Sequence, residues 1–168
     1  MQDKKSLIIY FSRADENYFG GEMKYIEKGN TEIVAEYIKD YLDADIFKVE
    51  PLDPYSANYQ ECIEEAKVRT REHNAPIKEN IPDISEYEVI YVGSPIYWGG
   101  MPEELVTALK DHDYNGKIIR PFVTHEGSGL SGVPKQLTEI CMGAKITEGL
   151  AIIGSQAKES KSKIEDWI

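Results

Sequence analysis

Three short stretches hold the residue types that bind a phosphorylated, flat, polar ligand. Ser12-Arg13 and, after an interval, Lys28-Gly29-Asn30-Thr31 lead into an amphipathic segment. Hydroxyl, amide and glycine residues at a helix N-terminus suit a phosphate, because free N–H groups point at it and the dipole favours its charge. The same residues also serve as plain helix caps, and both readings stand at this level. A second stretch, Gly93-Ser94-Pro95-Ile96-Tyr97-Trp98-Gly99-Gly100, sets two adjacent aromatics between turn residues. Such a rigid, partly exposed platform gives a flat ring a surface to stack on. The third, Thr124-His125-Glu126-Gly127-Ser128-Gly129, is glycine-rich, which lets backbone approach a ligand closely. His125 reads either as a donor to a ligand carbonyl or as a histidine bonded to a loop carbonyl.

These stretches need elements to position them. The apolar run at 7–11 reads as a buried strand, and Ile33, Val34, Tyr37, Ile38, Tyr41 and Leu42 share one face of a helix over 30–42. Further strands are expected at 45–49, 87–92, 118–124 and 150–153. Helices are expected from Tyr59 to near Asn74, from Pro102 on through Leu109, around Val133 to Cys141, and at the C-terminal end. Pro121, inside the fourth strand, argues for irregular pairing there. Five strands alternating with five helices imply βαβ crossovers, hence a parallel sheet covered on both faces, in one domain of 168 residues. In such sheets ligands bind outside the carboxyl ends of the strands, and the three stretches follow strands one, three and four. Residues 14–27 are too many for an ordinary βα connection of about 2–6 residues. They read as a small hairpin about Gly20-Gly21, whose aromatics Tyr18, Phe19 and Tyr25 either cover the site or form a satellite cluster.

Composition narrows the classes. Lys plus Arg number 19 against 30 Asp plus Glu, a formal net charge of −11. An acidic surface repels phosphate backbones and anionic lipid, which disfavours nucleic-acid and membrane roles and suits a basic protein partner. No apolar run approaches the roughly 20 residues of a membrane span. The start lacks the apolar segment of a secretory signal, and a cytoplasmic location is expected. Cys62 and Cys141 fall on helix stripes and read as small buried hydrophobes in a reducing compartment. With three scattered histidines and no Cys-x-x-Cys, no metal site is expected. His73 and His112 read as solvated, and Glu61, Glu64 and Glu65 as an exposed helix face.

Tyr10-Phe11-Ser12 with Gly29-Asn30-Thr31, then Gly93 to Gly99, then Pro121 to Gly129 together resemble the three FMN-binding loops of the flavodoxin family. The match runs in the correct order over nearly the whole chain. In particular it is similar to bacterial flavodoxin-like proteins with an insertion in the phosphate loop. The resemblance implies a doubly wound five-stranded parallel sheet in a three-layer α/β/α sandwich, and an FMN-binding electron-transfer protein. It implies Ser12, Arg13, Asn30 and Thr31 at the 5′-phosphate. Pro95, Ile96, Tyr97, Trp98 and Gly99 are implied at the isoalloxazine, and Thr124, His125, Gly127, Ser128 and Gly129 at its pyrimidine edge and the ribityl chain. The third loop lacks the tyrosine that often stacks on the outer flavin face, which leaves Trp98 or a hairpin aromatic for that place. The family also implies a loop peptide beside the flavin that reorients on reduction. Gly99 and Gly100 fall there, or else simply turn the chain toward Pro102. Basic reductase or acceptor proteins are the implied partners.

Other classes fit less well. A receiver domain shares the alternation, but Ser12-Arg13 and Gly93-Ser94 stand where its acidic cluster and phospho-accepting aspartate belong. A P-loop is absent, and Gly127-x-Gly129-x-x-Gly132 has the dinucleotide spacing after the wrong strand. The competing function is an FMN-dependent NAD(P)H quinone or nitro-reductase on the same fold, which steady NADPH oxidation tells from a carrier. A flavin-free interaction domain would be colourless and bind no FMN.

Overall fold

Strand β1 (Ser6–Tyr10) is an interior strand of the sheet in the computed structural model, which describes residues 5–168. Its side chains alternate as a period of two requires: Leu7 and Ile9 enter one core layer, Ile8 and Tyr10 the other. Parallel to β1 run β4 (Asp45–Lys48) on one side and β5 (Val89–Pro95) on the other, followed by β6 (Ile118–His125). The fifth position holds two short pieces, β7 (Lys145–Ile146) and β8 (Leu150–Ile153), both parallel to β6. The chain therefore starts mid-sheet, moves out to β4, and returns past β1 to β5. That reversal between β1 and β5 is the switch point where such folds bind ligands.

Helices cover both faces. Helix α1 (Asn30–Leu42) and helix α5 (Lys161–Trp167) press Ile33, Val34, Ile38 and Ile164 onto Ile8, Tyr91 and Phe122. Helices α3 (Glu103–Leu109) and α4 (Val133–Ile140) press Leu105, Leu109 and Leu137 onto Ile9, Val92 and Val123. Helix α2 (Tyr59–Glu72) lies beside α3, and Asn58 caps its start by accepting the Glu61 N–H at 2.9 Å. The excursion at 14–27 forms an antiparallel hairpin, β2 (Asp15–Phe19) and β3 (Glu22–Ile26), turning at Gly20 and Gly21 with φ of 64° and 88°. Among the described residues, no helix is long and apolar enough to cross a membrane.

Some boundaries differ from expectation. Tyr87 precedes the strand, in a turn whose N–H bonds to the Ile84 carbonyl, while β5 runs on to Pro95. Pro102 does not enter α3. Its ψ of 142° is extended, and it caps the helix through a carbonyl that accepts from Leu105 and Val106. Pro121 keeps regular register with Val92 on β5, and the irregularity lies on its other side, where residues 147–149 separate β7 from β8. A ring without an N–H costs nothing opposite that gap. The 3₁₀ turn Gly154–Glu159 after β8 carries no apolar period and was not foreseen.

Candidate functional site

The loops after β1, β5 and β6 leave neighbouring strands at their carboxyl ends, and a cavity of about 700 Å³ opens there. Its wall includes Arg13, Asn30, Pro95, Ile96, Tyr97, Trp98, Thr124, His125, Gly127 and Ser128, all expected from the sequence. Ser12, Thr31, Gly99 and Gly129 are not on that wall. Ser12 and Thr31 instead lie behind it, at the start of α1, next to the lining residues Arg13 and Asn30. The Ser12 Oγ accepts the Glu32 N–H at 3.1 Å, and the buried Thr31 hydroxyl lies 2.7 Å from that of Thr124. Both roles are structural, yet each leaves a hydroxyl proton to donate: the Ser12 proton, and one of the threonine pair. The helix geometry leaves the Asn30 and Thr31 N–H groups without intrahelical partners.

Gly29 permits this arrangement. A Cβ there would stand 2.1 Å from Ser12 Oγ and within 2.9 Å of the Arg13 backbone. Arg13 bends toward the hairpin. Its terminal nitrogens donate to the carbonyls of Glu16 (2.5 Å), Ser56 (2.8 Å) and Ala57 (3.0 Å), while its Nε is buried and unpartnered. It therefore staples the hairpin to residues 56–57 and brings a cation to the cavity.

Tyr97 is not a free platform. Its ring packs edge-on against Phe11 and Tyr55, and burial pushes its hydroxyl well above the usual phenol range. Trp98 is the exposed member at 53%, but its indole N–H donates to the Ile63 carbonyl at 2.9 Å, which ties this loop to α2. Between them the chain makes a tight turn, with Tyr97 and Gly100 exchanging N–H···O bonds and φ of 53° at Trp98 and 82° at Gly99. The Gly99 carbonyl accepts from Gly132 at 2.8 Å, so the Gly99–Gly100 peptide is held at both ends. His125 bonds to a loop N–H rather than to a carbonyl: its Nδ1 accepts from Gly127 at 2.9 Å. That places the proton on Nε2, ready to donate.

The hairpin aromatics divide. Tyr18 lines the cavity and packs edge-on against Tyr59, whereas Phe19 and Tyr25 line a separate cavity behind the hairpin. His112 is partly covered by Tyr114, and His73 is exposed with Nδ1 3.2 Å from Glu103. Glu61 and Glu65 are not merely solvated, since they accept from the Ser56 hydroxyl and N–H and hold that loop. The sequence reading missed the wall from α2, formed by Tyr59, Cys62, Ile63 and Ala66, as well as Glu126. Small residues at 62 and 66, one turn apart on the inward stripe, are the available signal of a slot beside that helix. Burial raises the Cys62 thiol, so this wall is uncharged near neutrality.

The parts fit a flavin mononucleotide. One end offers an open helix N-terminus, a glycine cradle and a buried unpartnered Arg13 Nε for a phosphate. The other offers an uncharged slot between α2 and the loop after β5 for a flat ring.

Fold and site together define a doubly wound α/β protein with a nucleotide-type crevice at its switch point. The flavodoxin family model matches residues 23–168, and the chain belongs to that family. No curated protein matches it. Among solved structures it is similar to a protein of Bacteroides uniformis provisionally named a flavoprotein, at 22% identity and TM-score 0.75, covering 99% of this chain and 98% of that one. It is also similar to a flavoprotein from Lactobacillus acidophilus solved in complex with FMN, at 20% identity and TM-score 0.66, covering 94% and 98%. A third, oxidised flavodoxin 2 from Bacillus cereus, matches at 20% identity and TM-score 0.52 over 98% and 99%. At such identities the likeness establishes the fold.

Proposed function

We propose that this chain binds one FMN in the cavity after β1, β5 and β6 and serves as an electron carrier. One observation carries the reading: an open helix N-terminus and an uncharged slot meet in a single cavity at the switch point. The bound flavin supplies the electron chemistry, and the protein supplies binding and electrostatics. Asn30 and Thr31 N–H groups with the Ser12 hydroxyl hold the phosphate. The His125 Nε2 donates to the pyrimidine edge. The Trp98–Gly99 peptide, next to the one fixed by Gly132, is free to turn toward the ring on reduction.

Titrating apoprotein with FMN tests the reading, with quenching of flavin fluorescence at one equivalent expected. No quenching at micromolar FMN removes it. Replacing Ser12 with Ala should weaken FMN more than riboflavin, since only FMN has the phosphate. Turnover of NADPH without an added reductase would favour the quinone or nitro-reductase instead. The formal charge of −11 supports a basic redox partner, whose electron-transfer rate should fall as salt rises.

A further inference from the structure

A second cavity of about 630 Å³ lies behind the hairpin, between β3 and α1. Asn30 and Gly154 line both cavities, so the two meet at the start of α1. Glu126 stands at this junction. One carboxylate oxygen accepts the Ser155 N–H at 3.1 Å, and the other accepts the Gly20 N–H at the hairpin tip at 3.3 Å. One side chain thus ties together the loop after β6, the hairpin and the turn after β8. The partition is tight, for a Cβ on Gly154 would come within 2.5 Å of Asn30 Nδ2 and 2.9 Å of Glu126 Oε1.

The second cavity carries three lysines against two carboxylates, a small basic excess in an acidic chain. Lys24, Lys28 and Lys158 line it with Phe19, Tyr25 and Tyr37 and with the carboxylates Glu27 and Glu36. Lys28 is paired with Glu36 at 2.8 Å, which leaves Lys24 and Lys158 as its lysines without an ion-pair partner among the described residues. Lysines with aromatic faces suit a further phosphate and a base. For a flavin whose phosphate sits at Asn30, the second cavity is the adjoining space, across the junction that Glu126 spans.

We propose that Glu126 determines cofactor specificity: by fastening the hairpin tip across the junction it admits FMN and rejects FAD. The inference rests on the flavin reading above. FAD carries an adenylate beyond the phosphate that FMN ends on, and the second cavity is the adjoining pocket that could hold it. The closed clasp blocks the passage sterically, and its carboxylate repels the second phosphate. Releasing the clasp removes both barriers and opens the space beside Lys24 and Lys158 to the adenylate.

The test compares FMN, FAD and riboflavin binding to the wild type, Glu126→Ala and Glu126→Gln, with amide hydrogen exchange at Gly20 and Ser155 in the same proteins. The wild type should prefer FMN over FAD by about a hundredfold or more, and Glu126→Ala should narrow that ratio by at least about tenfold. The narrowing should come mainly from tighter FAD binding, read for each variant against its own riboflavin affinity. Glu126→Gln keeps an acceptor without the charge and should fall between; it also serves if the alanine variant does not fold. Lys158→Ala in the Glu126→Ala background should weaken FAD alone. Lost protection at Gly20 with an unchanged FAD-to-FMN ratio would overturn the proposal, as would a wild type that binds FAD as tightly as FMN. A wild type that binds no flavin would instead overturn the reading on which it rests.

Discussion

The hydroxyls of Thr31 and Thr124 lie 2.7 Å apart although 93 residues separate them in the chain. Both are buried, and the bond joins the first turn of α1 to the carboxyl end of β6. Two of the three loops at the site are thereby fixed to one another before any ligand arrives. Removing either hydroxyl leaves the other buried without its partner, at a cost of about 1–3 kcal/mol. Thr31→Val and Thr124→Val should each lower stability by that order in urea unfolding. The double variant should lose less than the sum, since neither polar atom then remains. Strict additivity would show that the pair is not coupled.

Gly29 faces a different constraint. Its φ of −63° is open to any residue, so backbone freedom is not the reason for a glycine. Space is the reason, because a Cβ would overlap Ser12 Oγ at 2.1 Å. Overpacking of this kind costs about 1–3 kcal/mol. Gly29→Ala should lower stability by that order. It should also weaken FMN more than riboflavin, because the displaced Ser12 and Arg13 backbone frame the phosphate end. Equal losses for both ligands in a fluorescence titration would count against a phosphate role.

How much of this was readable in the residues follows from whether a signal is local. Helix α1 was expected over 30–42 and is found there, because six apolar residues on one face and a glycine before them are enough. Gly20-Gly21 marked the hairpin for the same reason. The α2 wall was not readable: a stripe position says that Cys62 and Ala66 point inward, not whether they meet core or cavity. The clasp was hidden because the partners of Glu126 lie 106 and 29 residues away. The split fifth strand was hidden because β7 has only two residues, fewer than any alternation needs to show.

The wall that α2 contributes depends on a buried charge. Glu104 is wholly buried and accepts from Arg69 Nη1 and the Tyr55 hydroxyl, each at 2.7 Å. The Arg69 guanidinium also lies over the Tyr55 ring, 4.0 Å from its centroid. Arg69→Met should cost about 3–5 kcal/mol, because it strands the carboxylate in the core. Arg69→Met with Glu104→Gln should recover part of that loss, since the stranded charge is gone. Denaturant midpoints of the two variants check this, and a double variant no better than the single would refute it.

Cys141 gives the protein a dependence on alkaline pH. Burial pushes its thiol from an ordinary 9.0 up to about 12. Above pH 9.0 the unfolded chain releases this proton while the folded chain keeps it, so the unfolded state binds fewer protons. Stability must then fall as pH rises, by at most about 1.4 kcal/mol per pH unit from this group. The loss begins near 9.0 and ends as the folded thiol itself ionises near 12. Burial also raises Cys62 and the phenols of Tyr10, Tyr55, Tyr97 and Tyr114, so the wild-type slope contains more than one group. Cys141→Ala isolates its share. At neutral pH the variant should be less stable, having lost a sulfur packed in the core. Its deficit should shrink as the pH is raised above 9.0, because only the wild type must hold this thiol protonated. Urea unfolding of both proteins at pH values below and above 9.0 makes the comparison. A deficit that stays constant would mean that the thiol ionises as readily in the folded chain as in the unfolded one.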